Sequence, residues 1–401
     1  MTKKQIPIAL FFLMLFGLLC SRAILSITEG CWLVYALFHI HDWRKKIFTN
    51  PLLIWSLCPV FLFLLGTWQQ PLQISNYDFL LTLSAYPVAA FALVSWQKDH
   101  PRKSIHRIWF AATLTGILYS LFYFFQNYQS LLEGLGKGQS LPTLMDQDHL
   151  RFGIFLCAGL TILLFSNSVK PIVKACLAVG LLGFLLFLSV RTAWVMALVI
   201  VLVFVLGRYQ DSLLKKPFRI VLFLGLLLAG IGLAYLVFPT IQQKIAYSLY
   251  DWQQIQKGGY QPDYSDGTRW AVNRAAWEAI RHNGGSNLGW AGITDSLPVY
   301  FAKLYPGNTP GFRWPFNQYL FWWMGAGWWG MLLFTAWLLY PMIEGIRKKN
   351  HALTAWSLAL AIACLVESNL AFQFGVWLHA WPLVLLWLEE KKPVISEYGN
   401  S

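Results

Sequence analysis

The segment FNQYLFWWMGAGWWGMLLFTAWLLY, residues 316–340, continues for 25 positions without a charged side chain. An α-helix needs about 20 mainly apolar residues to cross the hydrocarbon core of a bilayer, so this segment is long enough for one membrane span. The rest of the 401-residue chain has the same character: 57% of its residues are hydrophobic, 12% are charged, and the mean hydropathy is +0.50. The sequence therefore predicts an all-α integral membrane protein with a single polytopic domain over residues 1–401.

Similar apolar runs recur along the chain and predict about twelve transmembrane helices. The predicted spans are 6–21, 23–40, 52–67, 79–96, 105–127, 152–168, 170–188, 191–207, 218–238, 316–340, 352–368 and 371–388. The first run follows Lys3 and Lys4, as the apolar core of a signal peptide would, but no small-x-small cleavage site and soluble domain come after it. We therefore interpret it as the first span.

The positions of Lys and Arg predict the orientation, because basic flanks resist translocation and remain in the cytoplasm. Every second predicted turn is basic, and these turns carry Arg44, Lys45, Lys46, Lys98, Arg102, Lys103, Arg107, Lys170, Lys174, Arg208, Lys215, Lys216, Arg219, Arg347, Lys348, Lys349, Lys391 and Lys392. An even number of spans then places both termini in the cytoplasm. The net charge of +13 follows mostly from this topology, and no basic patch indicates nucleic-acid binding.

One loop of the predicted outer face is much longer than the others: residues 239–315, between the ninth and tenth spans. Loops of that length usually carry function or structure of their own. Within it, SDGTRWAVNRAAWEAIRHNGG, residues 265–285, has capping residues at its start and an Asn-Gly-Gly stop, which together predict a helix. Trp270, Trp277 and Ile280 are predicted to rest on the membrane interface. A simple amphipathic lid is the alternative interpretation of this helix.

The predicted outer face also carries arginines that the topology does not require: Arg151, Arg191, Arg269 and Arg313. A single arginine at a membrane boundary can simply extend to lipid phosphate. Several arginines at one face favour a specific anionic ligand instead. The planar guanidinium forms two charge-assisted hydrogen bonds with phosphate and does not deprotonate, so the pattern predicts a bound diphosphate.

The tryptophan-rich segment FWWMGAGWW, residues 321–329, is predicted to contribute to an interface belt and to helix contacts. Gly325, Gly327 and Gly330 are predicted to allow close approach of a neighbouring helix. A platform on which sugars stack is the alternative interpretation.

Five short motifs occur in a fixed order: DHLRF at 148–152, SVRTAW at 189–194, DGTRWAVNRAAWEAI at 266–280, FNQYL at 316–320 and ESNLAFQFG at 367–375. Each is weak alone. Together with the long outer loop, the series resembles the bacterial O-antigen ligase and polymerase family. The resemblance covers about the C-terminal two-thirds of the chain, and the earlier spans are similar only in hydropathy.

This resemblance implies a glycosyltransferase of the bacterial inner membrane. Such enzymes take a glycan from undecaprenyl diphosphate at the periplasmic face and join it to a sugar hydroxyl. The acceptor is lipid A-core for a ligase and another lipid-linked repeat for a polymerase. The matching motifs imply that Arg191 and Arg269 are the two arginines that bind the diphosphate. The resemblance implies no metal or nucleotide cofactor, and the six cysteines, which lack metal-ligand spacing, also predict no metal and no disulfide.

The chain departs from the family pattern at Phe316. The family usually has His-Asn-(Glu/Gln)-Tyr-Leu there, with a histidine that positions or deprotonates the acceptor hydroxyl. Three explanations stay open: another outward group substitutes, the histidine is dispensable, or the chain is a binding relative without turnover. The predicted substitute is His149, for which a structural hydrogen bond to a nearby carbonyl is the alternative. The further candidates are Asp146, Asp148, His282 and Glu367.

Polar residues in and beside the motifs are predicted to bind substrate: Arg151, Arg313, Asn317, Gln318, Glu367 and Gln373. For Glu367 and Gln373, a local hydrogen-bond network that satisfies polar groups near lipid is the alternative. A transporter or flippase is a further functional alternative. It would be expected to show broken helices or charges at mid-membrane, and the sequence offers few of either.

Overall fold

The computed structural model describes residues 5–67, 74–96, 102–136, 141–145, 148–166, 169–214, 235–257, 260, 265–308 and 311–389, with single residues between 218 and 233. Within these residues the fold is helical and contains no β-strand, which confirms the all-α prediction. The predicted ninth span, 218–238, lies mostly outside the described residues, as does Asp146.

The helices are α1 (Gln5–Cys20), α2 (Arg22–Phe38), α3 (Ile40–Trp43), α4 (Pro51–Gly66), α5 (Ile74–Leu83), α6 (Ala85–Trp96), α7 (Arg102–Gln126), α8 (Tyr128–Gly136), α9 (His149–Phe165), α10 (Pro171–Leu188), α11 (Arg191–Leu214), α12 (Pro239–Gln256), α13 (Asp266–His282), α14 (Gly289–Leu304), α15 (Gln318–Arg347), α16 (His351–Val366) and α17 (Gln373–Leu388). Short 3-10 turns occupy Arg44–Lys46 and Asn369–Ala371.

In the part of the chain that is described, five helical segments are long and apolar enough to cross a membrane, and six are if the bent pair of α2 and its continuation to Lys46 counts as one. They are Tyr77–Trp96, Ser104–Gln126, Pro171–Leu188, Arg191–Arg208 and Gln318–Arg347. The apolar helices α1, α4, α9, α16 and α17 are shorter. Membrane character is thus supported, whereas the twelve-span layout and its orientation stay predictions.

Asparagine and aspartate side chains fix where several helices begin. Asp148 Oδ1 accepts the Arg151 N–H at 3.0 Å at the start of α9, and Asn317 Oδ1 accepts the Tyr319 N–H at 2.9 Å at the start of α15. Asn350 does the same for α16. Each side chain satisfies a backbone donor that has no partner inside its helix, so these residues hold the helix starts in place.

The last two helices lie at the centre of the bundle. Helices α16 and α17 are buried along most of their length, and they pack against α6, α9, α11 and α15. Many tryptophans fill the space between helices here, including Trp32, Trp96, Trp356, Trp377 and Trp381. The predicted helix contacts of tryptophan are therefore confirmed, whereas an interface belt suits only exposed indoles such as Trp328 and Trp329.

Helix α15 is kinked at Gly327, whose φ of 74° lies in a region that glycine adopts without steric cost. The kink accompanies a backbone hydrogen bond from the Leu288 N–H to the Met324 carbonyl at 2.7 Å. A Cβ atom on Gly325 would overlap the Trp290 ring. The predicted close helix approach is therefore confirmed at Gly325, where the approaching helix is α14, whereas Gly327 faces Asn287 just before α14 and the nearest atoms to Gly330 belong to its own helix.

The helix predicted within residues 265–285 is present as α13. Trp270 and Trp277 are half exposed, as the interface prediction requires. The prediction for Ile280 is wrong, because its side chain is 2% exposed and belongs to the hydrophobic core. It lies on the same buried stripe of α13 as Val272 and Ala276, which packs towards the bundle.

Candidate functional site

Five parts of the chain meet at one end of the bundle and bring charged side chains together. They are the start of α9, the start of α11, the inner face of α12, the start of α13, and the turn between α16 and α17. We name the central group the charged cluster and define it as Arg191, Lys244, Asp266, Arg269 and Glu367. The motifs that carry Arg191, Arg269 and Glu367 are distant in sequence, so only the fold brings them together.

Arg191, the first residue of α11, is bound to Asp266 through both guanidinium nitrogens. Nη2 donates to Oδ1 at 2.6 Å, and Nη1 donates to Oδ2. Nη1 also donates to Ser248 Oγ of α12 at 2.5 Å. Such a fork fixes the plane of the guanidinium as well as its position. The side chain is 32% exposed, so part of it stays open to a ligand.

Arg269, in the first turn of α13, contacts two carboxylates. Its Nη2 lies 2.6 Å from Glu367 Oε1, and its Nη1 lies 3.7 Å from Asp266 Oδ1. The guanidinium carbon is 5.4 Å from the centre of the Phe316 ring, within the range of a cation–π contact. Asp266 thus lies between the two arginines, and Phe316 lies against one of them.

Asp251, on α12, is fully buried and holds the start of α13. Its carboxylate accepts the Asp266 N–H at 2.7 Å and the Gly267 N–H at 3.0 Å. An anion is favourable at a helix N-terminus because the first N–H groups have no partner inside the helix and carry partial positive charge. Asp251 therefore sets the position of the helix that carries Arg269. No motif in the sequence points to Asp251.

Lys244 is a second α12 residue that sequence analysis missed. It is 9% exposed, and it lies four and seven residues before Ser248 and Asp251, hence on the same face of the helix. Among the residues that the structure describes, its ammonium group has no hydrogen-bond or ion-pair partner.

The surroundings of Lys244 make its charged form costly. The pKa of Lys244 is lowered to about 8, first by burial and then by the positive charges of Arg191 and Arg269, and Asp266 and Asp251 oppose this shift. A lowered lysine pKa means that the protonated form is less stable here than in water. Near pH 7 the ammonium is still mostly charged, so three cations share this site.

Arg151, in the first turn of α9, lies beside the turn between α16 and α17. Its Nη1 is 3.2 Å from Asp148 Oδ2, and its guanidinium carbon is 4.7 Å from the Phe372 ring centre. The residue is 9% exposed. It is therefore brought to the same end of the bundle as the charged cluster, and it is held there by a local carboxylate and by aromatic faces.

His149, the first residue of α9, is close enough to the charged cluster for the charges of Lys244 and Arg269 to act on its imidazole ring. The pKa of His149 is lowered to about 4, mainly by burial and also by the charges of Lys244 and Arg269, while Asp148 opposes the shift. A group with that pKa is a neutral imidazole near pH 7. It can hydrogen-bond a hydroxyl, but it is a weak proton acceptor at that pH.

The FNQYL motif is fixed by hydrogen bonds at the start of α15. The backbone N–H groups of Phe316 and Asn317 donate to Asn273 Oδ1 of α13 at 2.9 and 3.2 Å. Gln318 is fully buried, and its Oε1 accepts the Leu370 N–H at 2.9 Å. These amides therefore tie α13, α15 and the α16–α17 turn together. Asn273 was another residue that sequence analysis missed.

Other predicted site residues do not reach the charged cluster. Arg313 is exposed and makes no hydrogen bond or ion pair with the part of the chain that is described. Gln373 donates to Ser26 Oγ of α2 at 2.8 Å. His282 lies in the last turn of α13, away from the helix start that holds the cluster. Asp146 lies outside the described residues.

The donors of the charged cluster are suited to an anion. Over the described ranges, no group of three or more His, Cys, Asp or Glu side chains is arranged to hold a metal. Arginine carries five N–H donors, so Arg191 and Arg269 retain donors beyond those used by Asp266 and Glu367. An anion with several oxygens, such as a phosphate or diphosphate, suits such a set of donors.

Comparison with known proteins agrees with the motif order. Residues 176–335 match the family model described as O-antigen ligase. The matched segment includes both arginines of the charged cluster and Phe316, whereas Glu367 and His149 lie outside it. No curated protein matches the chain. The resemblance inferred from the motifs is thus confirmed over residues 176–335, where the chain is similar to the O-antigen ligase family.

Proposed function

We propose that this protein is a glycosyltransferase that moves a glycan from undecaprenyl diphosphate to a sugar hydroxyl of lipid A-core at the periplasmic face of the bacterial inner membrane. The observation that carries the proposal is the convergence of Arg191 and Arg269 on Asp266, inside the segment that matches the O-antigen ligase family. In this proposal the partners are the lipid-linked donor, the core acceptor and the surrounding lipids. Neither a metal nor a nucleotide takes part.

The arginines have a physical role in this reaction. When the acceptor oxygen attacks the anomeric carbon, the carbon–oxygen bond to the lipid diphosphate breaks and its electron pair stays on the diphosphate. Cations that are already in place stabilise this developing charge more than they stabilise the ground state. Asp266 and Glu367 orient the two guanidinium groups before substrate arrives. Losing one such group costs roughly 3–4 kcal/mol, by analogy with oxyanion donors.

His149 is the proposed contact of the acceptor hydroxyl. It stands near Arg269 and Lys244, and its lowered pKa leaves the ring neutral at pH 7. A neutral imidazole can orient a hydroxyl through a hydrogen bond. We therefore assign His149 to positioning the acceptor, which is one of the two tasks of the family histidine. Arg151, Asn317 and Gln318 support the surrounding structure through their helix-end contacts.

The test is the surface-glycan ladder of a deletion strain that carries either an empty vector or the wild-type protein, together with its undecaprenyl-linked glycans. Ligase function predicts that long chains accumulate on the lipid carrier without the protein and reach the core with it. Single repeats that reach the core without the protein would indicate a polymerase. An unchanged ladder without accumulation on the carrier would contradict the proposal.

A binding relative without turnover is the second candidate, and Phe316 is the observation that favours it. The backbone of Phe316 is held by Asn273, and its ring lies against Arg269, so a histidine at this position would stand beside the cluster. We expect Phe316→His to leave transfer within about threefold of wild type, because the wild-type protein is proposed to be active without it. Transfer that appears only in Phe316→His would establish the second candidate.

A further inference from the structure

Lys244 is the buried cation of the charged cluster that no carboxylate contacts among the described residues, although Asp266 and Asp251 lie near enough to favour its charged form. Each arginine is bound to a carboxylate: Arg191 to Asp266, and Arg269 to Glu367. Asp251, the acidic residue on the same face of α12, uses its oxygens to accept backbone N–H groups. Within the described residues, Lys244 is thus left without a partner although it is only 9% exposed.

Such an arrangement is unfavourable unless something else occupies the site. A buried ammonium group loses its hydration, and nearby guanidinium charges repel it. Replacing it with an apolar residue would remove both costs. The arrangement becomes favourable when an anion with several oxygens contacts the ammonium and both arginines, because each contact is then a charge-assisted hydrogen bond.

We propose that Lys244 is a third diphosphate-binding residue, whose Nζ donates to a phosphate oxygen of the polyprenyl diphosphate that Arg191 and Arg269 bind. The inference rests on the proposed function, since the donor diphosphate is its ligand. Lysine suits a phosphate oxygen as a compact charge with three donors, while the two arginines contribute fixed forks. Together the three residues place cations from α11, α12 and α13 around one ligand.

The binding of diphosphate by Lys244 has a pH signature. In the free protein its pKa is about 8, and a bound diphosphate raises that pKa because it stabilises the ammonium. Binding therefore takes up a proton above pH 8, and the affinity falls by up to about tenfold per pH unit there. Below pH 8 this dependence disappears, because Lys244 is already protonated.

The groups that face Lys244 do not produce the same signature. They are Arg191 of α11, Asp266 and Arg269 of α13, Asp251 of α12 and His149 of α9. Arginine does not titrate in this range, and the pKa of His149 lies near 4. Helices α8 and α10 also pack against α12. Glu133 of α8 is exposed, and Lys174 of α10 binds backbone carbonyls at the other end of α9.

The experiment measures farnesyl diphosphate binding to the full-length protein in nanodiscs by calorimetry, from pH 6.5 to 9.5. We expect Lys244→Met to bind roughly 10- to 100-fold more weakly at pH 7, the loss typical of a hydrogen bond to a charged group. Lys244→Arg keeps affinity at pH 7 within about threefold and loses the pH dependence above 8. Lys303→Met, which changes an exposed lysine of α14, is the matched control and binds as wild type does.

Stability gives a second, independent readout. If Lys244 serves only the ligand, Lys244→Met without ligand unfolds at a higher temperature than wild type, because an unpartnered buried charge is removed. If Lys244 instead supports the fold, the same variant unfolds at a lower temperature, and the proposal is overturned. The melting curve also reports whether the variant is folded.

Three results would separate this inference from the proposed function. Equal affinity and equal pH profile of wild type and Lys244→Met would reject Lys244 as a ligand and leave the proposed function intact. Weaker binding by Lys244→Met with the same pH dependence above pH 8 as wild type would trace the loss to altered packing and overturn the assignment of Lys244 as a ligand. Wild-type protein that binds no farnesyl diphosphate would reject the diphosphate donor itself.

Discussion

Among the described residues, two places combine arginine, lysine and a buried carboxylate, and they differ in how their residues come together. At the C-terminal end of α15, Glu344 is 2% exposed and lies 2.7 Å from Arg347 Nη2 and 3.2 Å from Lys348 Nζ. All three residues lie within about one helical turn. The charged cluster instead draws its residues from α11, α12, α13 and the turn after α16.

The difference indicates which cluster is built for a ligand. At the α15 end the two cations are 68% and 41% exposed, they share one carboxylate, and cations are favourable near a helix C-terminus. That cluster is complete by itself. In the charged cluster a lysine is buried, and each carboxylate of the group already contacts an arginine. Convergence from several helices, with one cation left over, is the arrangement that an anionic substrate would complete.

The largest expected effect is the loss of glycan transfer when Arg191 of the charged cluster is replaced. Arg191→Ala should lower glycan transfer by roughly 10²–10³-fold, because it removes both a diphosphate contact and the fork that holds Asp266. The measurement is the surface-glycan ladder of the complemented deletion strain, with membrane insertion checked by blotting. Normal transfer by an inserted Arg191→Ala protein would remove the basis of the proposed function.

Arg191→Lys refines the same prediction. It keeps the charge and loses the planar fork, so transfer should fall between that of wild type and that of Arg191→Ala. Full activity of the lysine variant would mean that only the charge at this position matters and that the bidentate geometry does not.

The next effect concerns how Arg269 is oriented. Glu367→Gln keeps the size of the side chain but removes the carboxylate charge that lies 2.6 Å from the Arg269 guanidinium. We expect transfer to fall by about tenfold, equivalent to about 1.4 kcal/mol of lost transition-state stabilisation. Glu278→Gln, on the same helix as Arg269 but near its other end, is the control and should retain activity. Equal activities of the two variants would show that Glu367 does not orient the arginine.

The two clusters also show what the sequence can reveal. Arg191 and Arg269 stand at helix starts in recognisable motifs, so the sequence alone predicts that they converge. Arg313 was predicted on the same grounds and is exposed, because position at a boundary does not determine where a side chain points. Lys244 and Asp251 belong to no recognisable motif and stand at no predicted helix start. Both residues lie on one face of α12, and their role can be inferred only when the helices that pack against that face are known.

The span count was harder to predict than the helical class, for a similar reason. Hydropathy sums the character of a window and is insensitive to breaks inside it. The structure has such breaks at Ser84, between α5 and α6, at Gly327 in α15, and after α2, where the chain bends by 69°. Whether two short helices form one span depends on their packing against neighbours, and an apolar run in the sequence does not record that packing.

The smallest effect is expected at the cluster on α15. Arg347→Ala removes one of two exposed cations that contact Glu344 and leaves Lys348 in place. Exposed ion pairs contribute about 0–1 kcal/mol, so the free energy of unfolding should change by less than about 1 kcal/mol, and glycan transfer should equal that of wild type. Thermal unfolding of the purified protein and the glycan ladder measure the two. If Arg347→Ala lost as much transfer as Arg191→Ala, an arginine far from the charged cluster would be as important for transfer as one within it. The difference between the local cluster on α15 and the charged cluster would then have no bearing on function.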